Sequence, residues 1–342
     1  PNRILQKRQN LNIINFFHKN MNIPSLDIKD KKILYQLESN SRQPLSSLAK
    51  KVGLSREVVA YRIKQLEQKG IIHHYVTVID FVRLGYMFLR IFFRYNNVSE
   101  EIQKQMVDTL RKDKNVAWMG IGVGDFDLGF VYITKNINIL ETSYYDFLIK
   151  YSNYFKEHDV SFALKIFHFN HTYLHDVNDR NPLIVGKNKE VIELDESEKA
   201  VLYELMKNPK ISLINLSTKL KMAIKTISNK IQKLEDEKVI LNYGININTS
   251  VLNLEHHKIY LYLQNITQEK INMLITFISQ LKEVIYVTIP LGRAYLEFEL
   301  VVSGSVELYK FMRTLSITFP QLIRDYDDVF IYSQPFTNYI PE

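Results

Sequence analysis

The 342-residue chain contains no cysteine. That absence removes disulfides, thiolate metal sites, iron–sulfur clusters and every cysteine nucleophile, and it fits a cytoplasmic protein. Glycine (11) and proline (9) are scarce, which excludes collagen-like repeats and low-complexity disorder. No stretch approaches the ~18 consecutive apolar residues of a membrane span, so no membrane partner is expected. Arg3, Lys7 and Arg8 precede Leu11–Phe17 in the manner of a secretion signal. Asn12 and Asn15 interrupt that stretch and no small-residue cleavage site follows, which argues against export. What remains is a folded composition, too long for one ordinary core, so two or more domains are expected.

The formal charge is +7, and its distribution is uneven. Residues 1–80 hold 14 Lys and Arg against 6 Asp and Glu, whereas residues 81–186 hold 12 of each. Positive charge gathered in one terminal quarter points to a polyanionic partner there, double-stranded DNA first.

The sequence repeats at an offset of 168 residues. Leu26, Asp27, Leu34, Tyr35, Leu37, Leu45, Leu48, Ile63, Leu66 and Glu67 recur as Leu194, Asp195, Leu202, Tyr203, Leu205, Leu213, Leu216, Ile231, Leu234 and Glu235. The same offset carries Trp118 onto Tyr286 and Gly124 onto Gly292. Two copies of a two-domain unit follow.

In the first part of each unit, Asp27 and Asp195 read as helix N-caps, the latter with Glu198 in a capping box. A second helix over residues 46–52 ends at Gly53, and Ser55 caps a third whose buried stripe is Val59, Ile63 and Leu66. Gly70 stops it and an alternating strand over 74–80 follows, which makes a winged helix-turn-helix. The second part reads as strand 88–95, helix 100–111, strands 116–124 and 128–134, helix 140–155 and strand 160–168, a ferredoxin-like βαββαβ sandwich. The expected fold is α+β, winged helix-turn-helix domains alternating with ferredoxin-like sandwiches, duplicated in tandem. The expected divisions are a basic leader (1–25), a winged helix (26–80), a sandwich (81–178), a linker (179–193), a second, degenerate winged helix (194–248) and a second sandwich (249–342).

Leu26-Asp27, Asp30, Ile33-Leu34, Leu37, Arg42, Leu48-Ala49, Val52-Gly53-Leu54-Ser55, Arg62-Ile63, Leu66-Glu67, Gly70-Ile71-Ile72 and Tyr75 together resemble the DNA-binding domain of the Lrp/AsnC transcription regulators. The sandwich, with Gly124-Asp125-Phe126-Asp127 in its hairpin, resembles that family's amino-acid-sensing (RAM) domain. Ordinary members carry one such unit and this chain carries two. The resemblance implies a prokaryotic transcription regulator that oligomerises through its sandwiches and responds to an amino acid or related metabolite. It places an effector near Gly122, Gly124, Asp125 and Asp127, where a plain hairpin turn is the simpler account.

Only outward side chains near the start of the third helix reach base edges in a helix-turn-helix. Arg56, Tyr61 and Lys64 hold that face, with Arg56 the candidate guanine reader. Lys50, Lys51 and Arg62 are placed for phosphates, Ser55 lies at the helix start and His73 at the wing. In the second copy Lys221, Ala223 and Lys238 replace Gly53, Ser55 and Gly70. Its core stripe Ile227, Ile231 and Leu234 survives while the special backbone positions lose their preferred residues, so it reads as auxiliary, with Lys221, Lys225, Lys230 and Lys233 near phosphates. With one good reader per chain, a homo-oligomer of at least two chains is expected on a two-fold operator.

Other signals carry less. Gly120-x-Gly122-x-Gly124 precedes a strand and not a helix, so dinucleotide binding is not indicated. The four glycines between Gly120 and Gly129 instead suit the close approach of a backbone or ligand. His168, His171, His175 and Asp176 have metal-like spacing but follow a strand, and linker histidines are the simpler account. No catalytic constellation stands out, and no cofactor or enzyme activity is expected. The rival from another class is a siroheme-decarboxylase-like enzyme of tetrapyrrole biosynthesis, a group that resembles Lrp/AsnC proteins and carries a His-Asn-Tyr stretch. Here the corresponding strands read Val116-Ala117-Trp118-Met119-Gly120 and Val284-Ile285-Tyr286-Val287-Thr288, without that histidine. A protein-binding module without DNA affinity is a third reading.

Overall fold

The computed structural model describes residues 26–174, 180–187 and 190–337; the leader, His175 and Asp176 lie outside them. The first unit runs α1 (Ile28–Ser39), α2 (Leu45–Val52), α3 (Arg56–Gln68), β1 (Ile72–Ile79), β2 (Met87–Tyr95), α4 (Glu100–Lys112), β3 (Val116–Gly124), β4 (Leu128–Thr134), α5 (Ile137–Tyr151) and β5 (Phe155–His168). The second runs α6 (Glu196–Lys207), α7 (Leu213–Leu220), α8 (Ile224–Asp236), β7 (Ile240–Ile247), β8 (Glu255–Leu263), α9 (Gln268–Gln280), β9 (Val284–Leu291), β10 (Leu296–Val302), α10 (Ser305–Thr318) and β11 (Ile323–Thr337). This is the tandem arrangement of winged helix and βαββαβ sandwich. The presumed linker is not plain: Leu183–Val185 forms β6 on the edge of β5, and Gly186 N–H donates to Asp80 Oδ1 at 3.0 Å.

Caps set the helix starts. The Asp27 side chain accepts from Asp30 N–H, Ser55 from Val58 N–H, and Asp195 with Glu198 forms a full capping box. Ala223 caps α8 without a side-chain bond. Yet the second copy keeps the backbone of the first. Gly53 and Gly70 have φ of 70° and 68°, and Lys221 and Lys238 hold φ of 53° and 59° at the same places. A left-handed non-glycine residue costs roughly 1–2 kcal/mol, so packing around Ile227, Ile231 and Leu234 imposes the turn against local preference.

The two sandwiches join edge to edge. β5-β2-β4-β3 of the first unit meets β11-β8-β10-β9 of the second through β3–β11 and β5–β9, so eight antiparallel strands close into a ring. The junctions are equivalent under the repeat: Gly122 pairs with Ile331, and Pro290 with Ala163. Closure leaves no open edge in the ring. The glycines of β3 allow the approach. A Cβ on Gly124, whose φ is 142°, would lie 2.2 Å from the Asp328 backbone oxygen. Gly124→Ala should therefore cost about 2–4 kcal/mol from strain and overlap. Gly70→Ala, with nothing within 4 Å of its Cβ, should cost about 1 kcal/mol. Thermal unfolding of the two variants checks the contrast, and equal losses would refute it.

Period-2 alternation sorts the strands. Leu89, Ile91 and Phe93 of β2 face the helices, and so do Ile259, Leu261 and Leu263 of β8. Between the sheets, Phe92, Phe126, Tyr260, Ala294, Val329 and Ile331 fill the hairpin end. The two wings pair with each other: β1 and β7 form an antiparallel ribbon, Ile245 and Ile247 of β7 packing into the first winged helix and Ile79 of β1 into the second.

Candidate functional site

On α3 the buried positions are Val59 and Leu66, while Arg56, Tyr61 and Lys64 are exposed, Tyr61 to 63%. A ring left this far in solvent is not part of the core. Lys50, Lys51, Ser55 and His73 are exposed beside them; Ser55 is the N-cap, and Lys51 donates to Gln43 at 2.9 Å. Arg62 departs from expectation. Its Nη1 bridges Asp27 at 2.7 Å and Asp30 at 2.8 Å, tying α3 to the start of α1, so it is a brace and not a phosphate contact. Lys230 and Lys233 repeat that on Asp195 and Glu198.

The hairpin assigned to an effector is occupied by the chain itself. Gly122 and Gly124 lie against Val329 and the Asp328 backbone. Asp125 pairs with Arg293 of the second hairpin. Asp127 accepts the Tyr95 N–H at 2.7 Å, and burial pushes its carboxyl up. Ring closure takes the two glycines because β11 runs along β3, while Asp127 is held within its own unit.

A second site lies where the interior is not filled. Between the two sheets and under the ribbon is a cavity of about 240 Å³, walled by both halves: Val76–Ile79 and Ile245–Ile247 above, with Phe88, Arg90, Trp118, His168, His256, Lys258, Tyr286 and Gln334 around it. Most of the wall is apolar, and several of its polar groups belong to one hydrogen-bonded chain. Arg90 donates to both oxygens of Glu297 (2.5 and 2.9 Å) and to Ser161 Oγ (2.8 Å). Lys258, the counterpart of Arg90 in the repeat, reaches Glu297 at 2.9 Å and Glu299 at 3.0 Å. Glu299 meets His256 Nε2 at 3.0 Å, His256 Nδ1 meets Gln334 Nε2 at 3.2 Å, and Gln334 Oε1 accepts from Trp118 Nε1 at 3.1 Å. The indole, a donor only, orients the glutamine amide; the amide then donates to His256 Nδ1, so the imidazole proton sits on Nε2 toward Glu299. Burial would raise Glu299 and Glu297, but Lys258 with His256, and Arg90 with Lys258, hold both below the usual carboxylate range.

The histidines part company. His168 stacks on Tyr286 with centroids 4.6 Å apart, and burial pushes it down to about 4, so it is neutral at pH 7. His171 Nδ1 lies on the Glu38 carboxylate at the end of α1. No cluster of metal-binding type occurs among the described residues.

With this geometry in hand, the likenesses to known proteins fall into two kinds. A profile of winged helix-turn-helix DNA-binding domains matches residues 26–73 and 194–240. The proline dehydrogenase transcriptional activator of Rhodobacter capsulatus is 33% identical over 103 residues, 30% of this chain and 67% of that one. A transcriptional regulator of Pyrococcus horikoshii, FL11, is 30% identical over 116 residues, 34% and 75%. This chain belongs to the Lrp/AsnC family. Over nearly its whole length it is similar to the siroheme decarboxylase NirDL, with TM-score 0.61, 17% identity and coverage of 92% of this chain and 94% of that one. That protein has also been solved with an iron-uroporphyrin III analogue. At this identity the likeness establishes the shared tandem fold. No helix among the described residues is long and apolar enough to cross a membrane.

Sequence reasoning passed over Arg90, Glu297, Lys258, Glu299 and His256. The signal was present: Glu297 and Glu299 alternate with Leu296, Phe298 and Leu300, and a strand with charges on one face and a full apolar set on the other is facing something polar.

Proposed function

We propose that this protein is a sequence-specific DNA-binding regulator that reads its site with the amino-terminal winged helix and holds a small metabolite in the cavity between its halves. The observation that carries the reading is the exposed Arg56, Tyr61 and Lys64 face on an α3 whose Gly53 turn and Ser55 cap are intact. The relatives that share this part of the chain are named as regulators. The cavity suits a compact ligand of low net charge, because its cations Arg90 and Lys258 already meet Glu297 and Glu299. An amino acid satisfies that balance. Gel-shift titration with duplex libraries tests the reading. Arg56→Ala should lose ~1–3 kcal/mol of discrimination at one base position, and Lys50→Ala should weaken all duplexes alike. Equal loss on every sequence from Arg56→Ala would remove its role as reader.

The second reading, tetrapyrrole decarboxylation, is favoured by the whole-length fold likeness to NirDL and by His256 and His168 on the cavity wall. Two features weigh against it. A uroporphyrin-type substrate bears many carboxylates and would meet Glu299 on the wall, and the neutral His168 is a poor proton donor at pH 7. Titration with iron uroporphyrin III decides: a saturable shift of its main absorbance band, lost in Arg90→Met, together with no retention of any duplex, would put the enzyme reading first.

A further inference from the structure

The two halves are built as a two-fold pair inside one chain. In the ribbon, Ile72 pairs with Ile247, the counterpart of Ile79, and Ile79 pairs with Ile240, the counterpart of Ile72. The register thus maps onto itself when the halves are exchanged, as the two ring junctions do. Each wing strand packs into the other unit's winged helix. What a homodimeric reader obtains from two chains, a pair of symmetry-related recognition helices on a shared ribbon, is supplied here by one.

The frames agree but the faces do not. α3 and α8 are both 13 residues long, and both follow a left-handed turn residue, Gly53 or Lys221. Arg62 and its counterpart Lys230 brace the two helices on equivalent aspartates. At the first turn, where a side chain enters the groove, Arg56 is replaced by Ile224. An exposed isoleucine cannot give the paired hydrogen bonds by which arginine selects guanine. The exposed cations left on this side are Lys221 and Lys225, compact charges suited to phosphates.

We infer that one chain occupies one two-part site whose halves are unlike: a half-site selected by Arg56 and its neighbours, and a second, one helical turn (~34 Å) away, gripped through its phosphates by Lys221 and Lys225 with little base selection. The inference rests on the DNA-binding reading and adds one chain per site and a non-palindromic operator.

The test is selection of duplexes from a random library by the full chain, followed by hydroxyl-radical footprinting and light scattering of the complex. The expected result is one conserved half-site, protection extending about one turn beyond it on one side only, and one chain per duplex. Arg56→Ala should flatten the conserved half by roughly tenfold. Lys225→Ala should leave the selected sequence unchanged and make the salt slope shallower by about 0.9. A palindromic selected site with two chains bound, or a footprint confined to the conserved half, overturns the inference while DNA binding stands. Failure to retain any duplex overturns both. Both substitutions are on exposed positions, and an unchanged melting temperature excludes misfolding as the cause.

Discussion

Glu297→Ala is expected to destabilise the protein by about 3–5 kcal/mol, the range for breaking a buried ion pair from one side. Glu297 is 1% exposed, and two cations converge on it: Arg90, 6% exposed, and Lys258, 4% exposed. Burial works against the charge on Arg90, and Glu297 outweighs it. Removal of the carboxylate leaves that guanidinium with Ser161 as its remaining hydrogen-bond partner in the network, while Lys258 retains Glu299. The loss should therefore fall mainly on Arg90. Replacing both partners, Arg90→Met with Glu297→Leu, removes the unpaired charge and should recover most of the loss, since an apolar pair of similar volume is often neutral or better. Urea unfolding of the three chains measures this. A single variant that loses under 1 kcal/mol would mean that water enters the cavity and solvates Arg90. The same experiment bears on the proposed function, because a network that is stabilising only when complete holds the cavity in one shape.

Local structure was legible in the sequence wherever one residue type fixes one backbone need. Asp27, Ser55 and Asp195 marked helix starts that the structure confirms, and strands Val116–Gly124 and Leu128–Thr134 cover the residues expected for them. The repeat announced the duplicated fold. The cavity was not legible, because Arg90 and Glu297 are 207 residues apart and meet only when two sheets close on each other. Arg62 misled for a related reason: its outward helical position suggested DNA, but Asp27 and Asp30 on another helix claim it. Lys221 and Lys238 show the limit of propensity, since residues that disfavour the left-handed turn adopt it once the surrounding core requires it. The glycines of β3 were read correctly as a place of close approach, and what approaches is the chain's own last strand.

DNA affinity should fall about 10³-fold or more between 50 and 200 mM salt, the loss expected when ~6 or more phosphates are neutralised. The estimate counts only cations that the fold leaves exposed and not matched to a carboxylate. In the first winged helix Lys50, Lys51, Arg56, Lys64 and Lys69 are exposed, and in the second Lys221, Lys225 and Lys238. Arg62, Lys219, Lys230 and Lys233 are excluded because Asp27, Glu204, Asp195 and Glu198 already pair with them. Lys51→Ala and Lys64→Ala should each make the slope of log affinity against log salt shallower by about 0.9, whereas Arg62→Ala should act through stability and leave the slope alone. Fluorescence anisotropy over a salt series measures all of these. A slope shallower than about −2 would mean that the charged face does not lie on the duplex. The ligand binding proposed for the cavity would provide the contrast within the same molecule: its cations are buried and matched by Glu297 and Glu299, so salt cannot screen them comparably. A ligand whose affinity stays level over the range in which the DNA is released would assign the two activities to these two places.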